Sequence, residues 1–425
     1  MAFINRLLEN FLTETIETRP LVYLNGMRQC GKSTLVQNLS IENELNYITF
    51  DNPASLLFAK NDPAGFIEQL PQGKLNIIDE VQLAPELFRQ FKIIVDRKRL
   101  PATGVINGKD RALYVLTGSA NIFALPKLAD ALVGRMAILT LYPFSVAEIK
   151  GTGFNFMEKL WKDDLKPGRF TKAKIAELIS ASTFPEIALN RKKDRYLWFN
   201  DYITTILQRD VRVLADIKNP DNIYQLLVSF SQRASGLLNN ANVMKETGLD
   251  AKTYEKYKAL CCSTFLIYEL PSWSKPNKLN KRFVKQKKLY FTDTALLCHL
   301  MQRDLEEIFK NGMTSMGHIF ENFIAGEIMK ATRSLGPFVV SHFNPVQNQG
   351  REVDFIVENL KGEAIGIEVK LSGTIDGRDW ANMSVLQETI GNRFKKGIII
   401  YTGTELLQVA GNIWAVPVNF LWEKN

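Results

Sequence analysis

The sequence is poor in the residues that form disulfides and zinc sites. Of its 425 residues only 4 are cysteines and 3 are histidines. The cysteines are Cys30, Cys261, Cys262 and Cys298, and the histidines are His299, His318 and His342. Neither set has a metal-binding spacing, and adjacent cysteines are poor partners for each other. We therefore expect reduced thiols and a cytoplasmic location, and the histidines indicate neither a zinc site nor a catalytic role.

Long apolar segments are also absent. No run approaches the ~18 apolar residues that a membrane-spanning helix needs, and the N-terminus lacks the apolar core of a signal peptide. These features predict a soluble protein without a membrane partner, and the length alone indicates roughly three domains. The net charge of +8 permits contact with nucleic acid but does not prove it.

A phosphate-binding loop is the clearest motif that is present. Residues 26–33 read Gly-Met-Arg-Gln-Cys-Gly-Lys-Ser and follow an apolar run that is typical of a buried strand. In such a loop the backbone N–H groups and the following helix N-terminus face a polyphosphate. We expect Lys32 to reach the β- and γ-phosphates and Ser33 to hold Mg²⁺. Gly26 and Gly31 are required where a side chain would collide with the phosphate or forbid the backbone angles. The motif predicts binding of a nucleoside triphosphate.

Two carboxylates follow a second predicted strand. Residues 74–80 are a short apolar run, typical of a central parallel strand, that ends in Asp79 and Glu80. We expect Asp79 to bind Mg²⁺ through water and Glu80 to polarise the attacking water, although acidic residues also favour helix N-termini. A third predicted strand runs into Thr117 and Ser119, which either sense the γ-phosphate or form a capping turn. The residues expected to bind ATP are Gly26, Arg28, Gln29, Gly31, Lys32, Ser33, Thr34, Asp79 and Ser119.

These motifs give the chain a resemblance to a prokaryotic AAA-type ATPase family that carries a C-terminal domain of unknown function. The resemblance continues through residues 132–135, 141–148, 209–211, 288–293 and 353–356. It implies an α/β fold: an AAA-type P-loop core with a parallel sheet, a helical lid, a winged-helix-like module and a C-terminal nuclease-like domain. We place the core at 1–150, the lid and connecting helices at 151–226, the winged-helix-like module at 227–304 and the nuclease-like domain at 305–425.

The resemblance also assigns a role to Arg135. Its glycine-arginine pair stands where AAA proteins place an arginine near the γ-phosphate, supplied by the same subunit or by a neighbour. If the arginine acts on a neighbouring subunit, the active form is a homo-oligomer. The alternative is a surface arginine at the end of a helix, where the helix dipole favours a cation.

A basic segment lies in the winged-helix-like module, which we predict from a helix, a glycine-containing turn, a second helix and two flanking strands. Seven cations fall within the segment 275–288, with no acidic residue among them. They are Lys275, Lys278, Lys281, Arg282, Lys285, Lys287 and Lys288. Such a run provides affinity for nucleic-acid phosphates that depends on salt and not on base sequence. A solvated loop, or a module that contacts protein, is the alternative.

The C-terminal region holds a second constellation of charged residues. Glu368 and Lys370 share one face of a predicted strand because side chains alternate along a strand, and Asp354, on a second predicted strand, approaches that face if the two strands pair. Carboxylates can bind Mg²⁺ or Mn²⁺ while a lysine positions the attacking water. Glu321, on a predicted helix, is a further candidate ligand.

This D…ExK arrangement is similar to that of the PD-(D/E)XK nuclease superfamily. It departs from that pattern at Val353, which stands where the motif has a proline, and this substitution puts activity in doubt without removing a ligand. The alternative is a buried structural ion pair between Asp354 and Lys370.

The sequence thus predicts an ATPase whose nucleotide state controls a metal-dependent nuclease-like domain that acts on nucleic acid. The predicted catalytic residues are Glu80, Arg135 and Lys370. The predicted metal ligands are Ser33 and Asp79 at the ATP site and Glu321, Asp354 and Glu368 at the second site. The alternative function is an ATP-driven switch whose C-terminal domain is a catalytically inactive binding module.

Overall fold

The structure is a computed structural model of the chain. It describes residues 3–41, 44–98, 114–119, 134–162, 165–190, 193–211, 217, 219–274, 285–302, 315–344 and 352–423. These residues form an α/β protein with a parallel sheet near the N-terminus, a mixed sheet near the C-terminus, and helices and a two-stranded sheet between them. The predicted α/β class is confirmed.

The N-terminal part is built on a five-stranded parallel sheet of order β2-β3-β4-β1-β5. Its strands are β1 (Leu21–Gly26), β2 (Leu45–Thr49), β3 (Leu75–Asp79), β4 (Tyr114–Gly118) and β5 (Ala137–Leu141). Every residue of β1, β3 and β4 is buried, which is typical of parallel strands covered on both faces. The carboxyl ends of β3, β4 and β1 meet at one edge of the sheet, the usual position of a ligand in such folds.

Helices cover both faces of this sheet. They are α1 (Glu9–Thr18), α2 (Lys32–Gln37), α3 (Pro53–Asn61), α4 (Pro63–Glu68), α5 (Leu87–Lys98) and α6 (Val146–Ile149). Alternate residues of β1 enter different cores: Val22 and Leu24 belong to one apolar cluster, and Leu21 and Tyr23 to the other.

The middle of the chain is mostly helical. Its helices are α7 (Phe156–Trp161), α8 (Ile175–Ser180), α9 (Pro185–Ala188), α10 (Arg195–Thr205), α11 (Asp221–Ser231), α12 (Asn240–Thr247), α13 (Ala251–Ser263) and α14 (Thr294–Leu300). The described strands here are β6 (Gly168–Arg169), β7 (Ile267–Leu270) and β8 (Lys288–Phe291), and β7 pairs with β8 in antiparallel orientation. Within the described ranges, no helix is both long and apolar enough to cross a membrane.

The C-terminal part consists of a long helix followed by most of a seven-stranded mixed sheet of order β6-β13-β14-β12-β11-β10-β9. The helix is α15 (Ser315–Arg333), and the strands are β9 (Val339–Phe343), β10 (Val353–Glu358), β11 (Ala364–Lys370), β12 (Phe394–Tyr401), β13 (Glu405–Ala410) and β14 (Ile413–Pro417). Helix α16 (Ala381–Ile390) packs on the sheet. The strands that carry Asp354 and Glu368 do pair, since β10 lies antiparallel to β11.

The first strand of this sheet comes from the middle of the chain. Strand β6 pairs with β13 and lies within the region 151–226 that we predicted as the lid and connecting helices. A two-residue strand has no periodicity that a sequence pattern can reveal. The pairing joins the predicted lid region to the C-terminal sheet.

Candidate functional site

The phosphate-binding loop connects β1 to α2 with the backbone angles that its glycines allow. Gly26 has φ 149° and Gly31 has φ 96°, and a Cβ atom on Gly26 would collide with the carbonyl oxygen of Leu141. Gln29 also has a positive φ, 60°. The Lys32 side chain is buried, and its Nζ donates hydrogen bonds to the carbonyl oxygens of Gly26 at 3.1 Å and Met27 at 2.8 Å. The Lys32 ammonium therefore lies within the loop.

Asp79 is the buried centre of a set of hydroxyl donors. Its Oδ2 accepts hydrogen bonds from Ser33 and from Tyr47, both at 2.6 Å, and its Oδ1 accepts one from Thr117. Burial, and then the hydrogen bond to Asp79, raise the pKa of Tyr47 to about 12. The oxygens of Ser33 and Asp79 are the ligand type that Mg²⁺ prefers, and their 2.6 Å contact shows that one ion could reach both. The residues present therefore fit Mg²⁺.

Glu80 and Ser119 meet at the same edge of the sheet. Glu80 has a positive φ of 58°, an uncommon conformation for a non-glycine residue and one that is found at functional sites. The Gln82 side chain donates to Oε2 of Glu80 and to Oγ of Ser119, the latter at 3.2 Å. The Ser119 hydroxyl lies 3.4 Å from Glu80 Oε2. The sequence predicts Glu80 and Ser119 near the phosphates but indicates no role for Gln82.

Arg28 connects the loop to the helices that follow the core. Its Nη1 donates to Oδ1 of Asp210 at 3.1 Å, and its carbonyl oxygen accepts a hydrogen bond from Tyr202. Asp210 ends a single π-helical turn, Ile206–Asp210, that continues α10, and such turns often occur at functional sites. Burial raises the pKa of Asp210, and Arg28 opposes that shift. Asp210 lies in the segment 209–211 that carries the family resemblance, but no role was predicted for it because nothing in the local sequence indicates its contact with Arg28.

A cavity of about 410 Å³ opens beside the loop. The loop and α2 contribute Gly31 and Thr34 to its wall, and the other lining residues are mostly apolar. They are Phe3, Ile4, Arg6, Leu35, Asn38, Phe144, Pro185, Glu186 and Leu189. A concave, largely apolar site next to a phosphate loop suits a planar base.

Arg6 is a buried cation that the sequence did not indicate. Its guanidinium donates to the Cys30 carbonyl of the phosphate loop at 2.9 Å, to the Tyr142 carbonyl at 2.6 Å and to Glu148 Oε1 at 3.1 Å. Glu148 also closes a capping box at the start of α6 with Ser145. Arg6 thus fixes the phosphate loop to α6.

Arg135, predicted to act near the γ-phosphate, contacts α5 in this structure. Its Nε donates to Asp96 Oδ1 at 2.6 Å, and both side chains are partly exposed. The predicted role, in the same subunit or in a neighbour, stays a prediction.

The acidic residues of the C-terminal part surround Lys288, which comes from β8. Its Nζ lies 2.9 Å from Glu321 Oε1, 3.0 Å from Asp354 Oδ1 and 2.5 Å from Glu352 Oε1. The residue is 3% exposed. Burial alone would lower the pKa of the Lys288 ammonium, but Asp354, Glu321 and Glu352 together raise it well above its usual range. The structure corrects our prediction that Lys288 contacts nucleic acid, because its ammonium is buried among carboxylates.

The other members of the predicted second site lie on β11. Lys370 Nζ lies 2.9 Å from Glu368 Oε1 and 3.8 Å from Asp379 Oδ1. The alternative pairing of Asp354 with Lys370 is wrong, because the described ion pair of Asp354 is with Lys288. Asp354 Oδ2 also accepts a hydrogen bond from the Val369 N–H at 3.0 Å, which joins β10 to β11.

Four carboxyl groups form an acidic cluster around the ammonium groups of Lys288 and Lys370, and we define this cluster as Glu321, Glu352, Asp354 and Glu368. Burial, and then Asp354, raise the pKa of Glu321 to about 8, and the same two causes raise the pKa of Glu368. Glu368 Oε2 is buried without a hydrogen-bond partner among the described residues.

The cluster fits a divalent metal by residue type but not by arrangement. Carboxylate oxygens suit Mg²⁺ or Mn²⁺, yet the Lys288 ammonium occupies the point where three of them converge. In the described parts of the chain, no group of three or more histidine, cysteine or acidic residues is arranged to hold a metal ion.

Besides Lys288, the structure describes two basic residues of the segment 275–288, Lys285 and Lys287. Lys275, Lys278, Lys281 and Arg282 lie outside the described residues. Lys287, which is 40% exposed, pairs with Glu269 at 2.8 Å, and Lys285 donates to the Asn344 carbonyl at 3.1 Å.

Comparison with known families identifies a family that the N-terminal part matches. Residues 18–150 match the family described as "AAA domain". Together with the phosphate loop and the parallel sheet, this match supports an ATP-binding AAA-type ATPase domain at residues 18–150. Residues 172–307 and 316–421 each match a domain of unknown function, DUF8612 and DUF4143.

Similar proteins occur in mycobacteria. Uncharacterized proteins of Mycobacterium bovis and Mycobacterium tuberculosis are each 23% identical over 96% of this chain and 82% of their own length. Among solved structures, the Walker-type ATPase of Pyrococcus abyssi is 12% identical, with 69% of this chain and 94% of that chain covered and a TM-score of 0.40. Cdc6p from Pyrobaculum aerophilum is 14% identical, with 60% and 78% covered and a TM-score of 0.24. Structural similarity at this level adds nothing about function.

Proposed function

We propose that nucleotide state at the ATP site controls a C-terminal metal-dependent nuclease-like domain that acts on nucleic acid. The observation that carries this proposal is that helix α15 touches both parts of the molecule. Its Glu327 accepts a hydrogen bond from the Val146 N–H of α6 at 3.0 Å, and its Glu321 lies in the acidic cluster. Because Arg6 fixes α6 to the phosphate loop, a shift of the loop can reach α15 through contacts that are all buried.

In the ATPase reaction we assign the positioning of the phosphates to the phosphate-binding loop and the activation of the attacking water to Glu80. Lys32 and the loop N–H groups bind the phosphates, and the Glu80 carboxylate accepts a proton from the attacking water. Ser33 and Asp79 would hold Mg²⁺, which would supply positive charge to neutralise the phosphates. The contacts of Glu80 with Gln82 and Ser119 keep its carboxylate at the end of β3.

The proposal includes contact with nucleic acid through the basic segment. Lys287 is partly exposed despite its pairing with Glu269, and exposed ion pairs exchange partners at low cost. Binding through such residues would weaken steeply as the salt concentration rises.

The test is cleavage of labelled single- and double-stranded DNA and RNA with Mg²⁺ or Mn²⁺, with and without ATP. The Lys370→Ala variant should lose cleavage and retain ATP hydrolysis. The Glu327→Gln variant should cleave with a reduced response to ATP, because it weakens the contact between α15 and α6. The Lys32→Ala variant should cleave at one rate whether or not ATP is present. If no substrate is cleaved by a preparation that hydrolyses ATP, the nuclease proposal fails.

A second candidate function is favoured by the position of Lys288. An ammonium at the centre of the acidic cluster, and Val353 in place of the motif proline, suit an ATP-driven switch whose C-terminal domain binds a partner without cleaving it. This candidate predicts no cleavage by the wild type or by any Lys288 variant.

A further inference from the structure

Lys288 reaches the acidic cluster from outside the C-terminal part. Strand β8 lies in the segment that matches one family, 172–307, whereas Glu321 and Asp354 lie in the segment that matches another, 316–421. The three carboxylates around the ammonium come from α15, from β10 and from the residue that precedes β10. The cation at the centre of the acidic cluster, the Lys288 ammonium, therefore comes from a different part of the chain than its carboxylate partners.

The backbone around Lys288 holds the side chain in this position. Lys288 pairs with Leu270 of β7 and forms a bridge to Leu237. Tyr290, two residues further and on the same face of the strand, donates a hydrogen bond to Glu321 Oε1 at 2.6 Å. Lys287 points the other way and pairs with Glu269. Lys288 and Tyr290, which are alternate residues of β8, therefore contact the cluster, whereas Lys287, the residue before β8, does not.

A divalent ion and this ammonium would compete for the same oxygens. Glu321 Oε1 and Asp354 Oδ1 lie 2.9 and 3.0 Å from Lys288 Nζ, whereas Mg²⁺ binds carboxylate oxygens at about 2.0–2.1 Å. Two cations within a few Å in a buried site repel each other strongly. The cluster nevertheless has unused capacity for a cation, because Glu368, which is 8% exposed, keeps Oε2 without a hydrogen-bond partner among the described residues.

We propose that Lys288 is a built-in cation that excludes a divalent metal ion from Glu321 and Asp354, so that metal binds only when the ammonium withdraws. The inference deepens the proposed function, since it names what regulates the nuclease-like site. It makes β8 the element whose movement would open that site.

The test is Mn²⁺ binding to the full chain without nucleotide or nucleic acid, measured by calorimetry and by the electron paramagnetic resonance of free Mn²⁺. We expect weak binding by the wild type and at least tenfold tighter binding by Lys288→Met. Lys288→Arg, which keeps the charge, should resemble the wild type. The matched control is Lys258→Met, which removes another largely buried lysine whose partners, Glu255 and Glu269, lie outside the acidic cluster, and which should leave Mn²⁺ affinity unchanged.

Tighter binding must also depend on the cluster, so adding Asp354→Asn to Lys288→Met should abolish it. Equal affinities of folded wild type and Lys288→Met would overturn the proposal. If Lys288→Met does not fold, Lys288→Gln, which keeps a hydrogen-bond donor, takes its place. Tight, Asp354-dependent Mn²⁺ binding by the wild type would overturn the proposal without any Lys288 variant.

These outcomes separate the inference from the nuclease proposal. A Lys288→Met protein that binds Mn²⁺ tightly and cleaves nothing supports exclusion by Lys288 and refutes the nuclease. Cleavage by the wild type, with the same Mn²⁺ affinity in Lys288→Met, refutes exclusion and leaves the nuclease in place.

Discussion

Replacing Arg6 with alanine should lower the free energy of unfolding by about 3 kcal/mol. The Arg6 and Glu148 side chains are only 4% and 5% exposed, and removing one partner of a buried ion pair costs about 3–5 kcal/mol. We expect the lower end of that range because Glu148 keeps two backbone donors, the N–H groups of Leu7 and Ser145, both at 2.7 Å. The same change frees the Cys30 carbonyl, so the affinity for ATP should fall as well.

The assay is a double-mutant cycle with Arg6→Ala and Glu148→Ala. The free energy of unfolding of the wild type, the two single variants and the double variant is measured in urea. The matched control is the exposed pair of Lys162 and Glu158, which has a 2.6 Å contact and side chains that are 69% and 49% exposed. We expect a coupling energy of about 2 kcal/mol for the buried pair and no more than about 0.5 kcal/mol for the exposed one. Equal coupling energies in the two cycles would refute the reasoning, since burial is then not what gives Arg6 its effect.

Three further predictions concern turnover, Asp79 and pH. Lys32→Ala and Glu80→Gln should each reduce ATP turnover at least about 100-fold, and Glu80→Gln should still bind a fluorescent ATP analogue. Tyr47→Phe should cost about 1 kcal/mol in urea unfolding, since Asp79 Oδ2 keeps its bond from Ser33; no change would show that Tyr47 contributes nothing. Burial, and then Lys288, lower the pKa of His342 to about 4, so the unfolded state binds the extra proton below pH 6.5 and stability falls as the pH falls. Between pH 6.5 and 5 the wild type should lose about 1.5 kcal/mol more than His342→Gln, and parallel losses in urea titrations at the two pH values would contradict this.

The ATP site could be predicted from sequence to the extent that its residues are adjacent in the chain. The phosphate loop is one continuous segment, and Asp79 ends an apolar strand, so the parallel order of the sheet brings the two together. Arg6 and Asp210 could not be predicted in the same way. Each meets the loop across a long sequence separation, 24 residues for the contact of Arg6 with Cys30 and 182 for that of Asp210 with Arg28, and neither belongs to a periodic pattern.

The acidic cluster shows why a charge pattern alone misled the interpretation of Lys288. In the sequence it is the last member of a basic run, and a basic run is typical of a solvated or phosphate-binding surface. In extended backbone, however, neighbouring side chains point to opposite faces. The Lys287 side chain is accordingly 40% exposed, whereas Lys288 is buried. Lys287, directly before β8, stays at the surface, whereas Lys288, the first residue of β8, points to the other face. What the other face meets depends on how β8 packs against α15 and β10, and that packing assigns Lys288 to the carboxylates instead of to a nucleic acid.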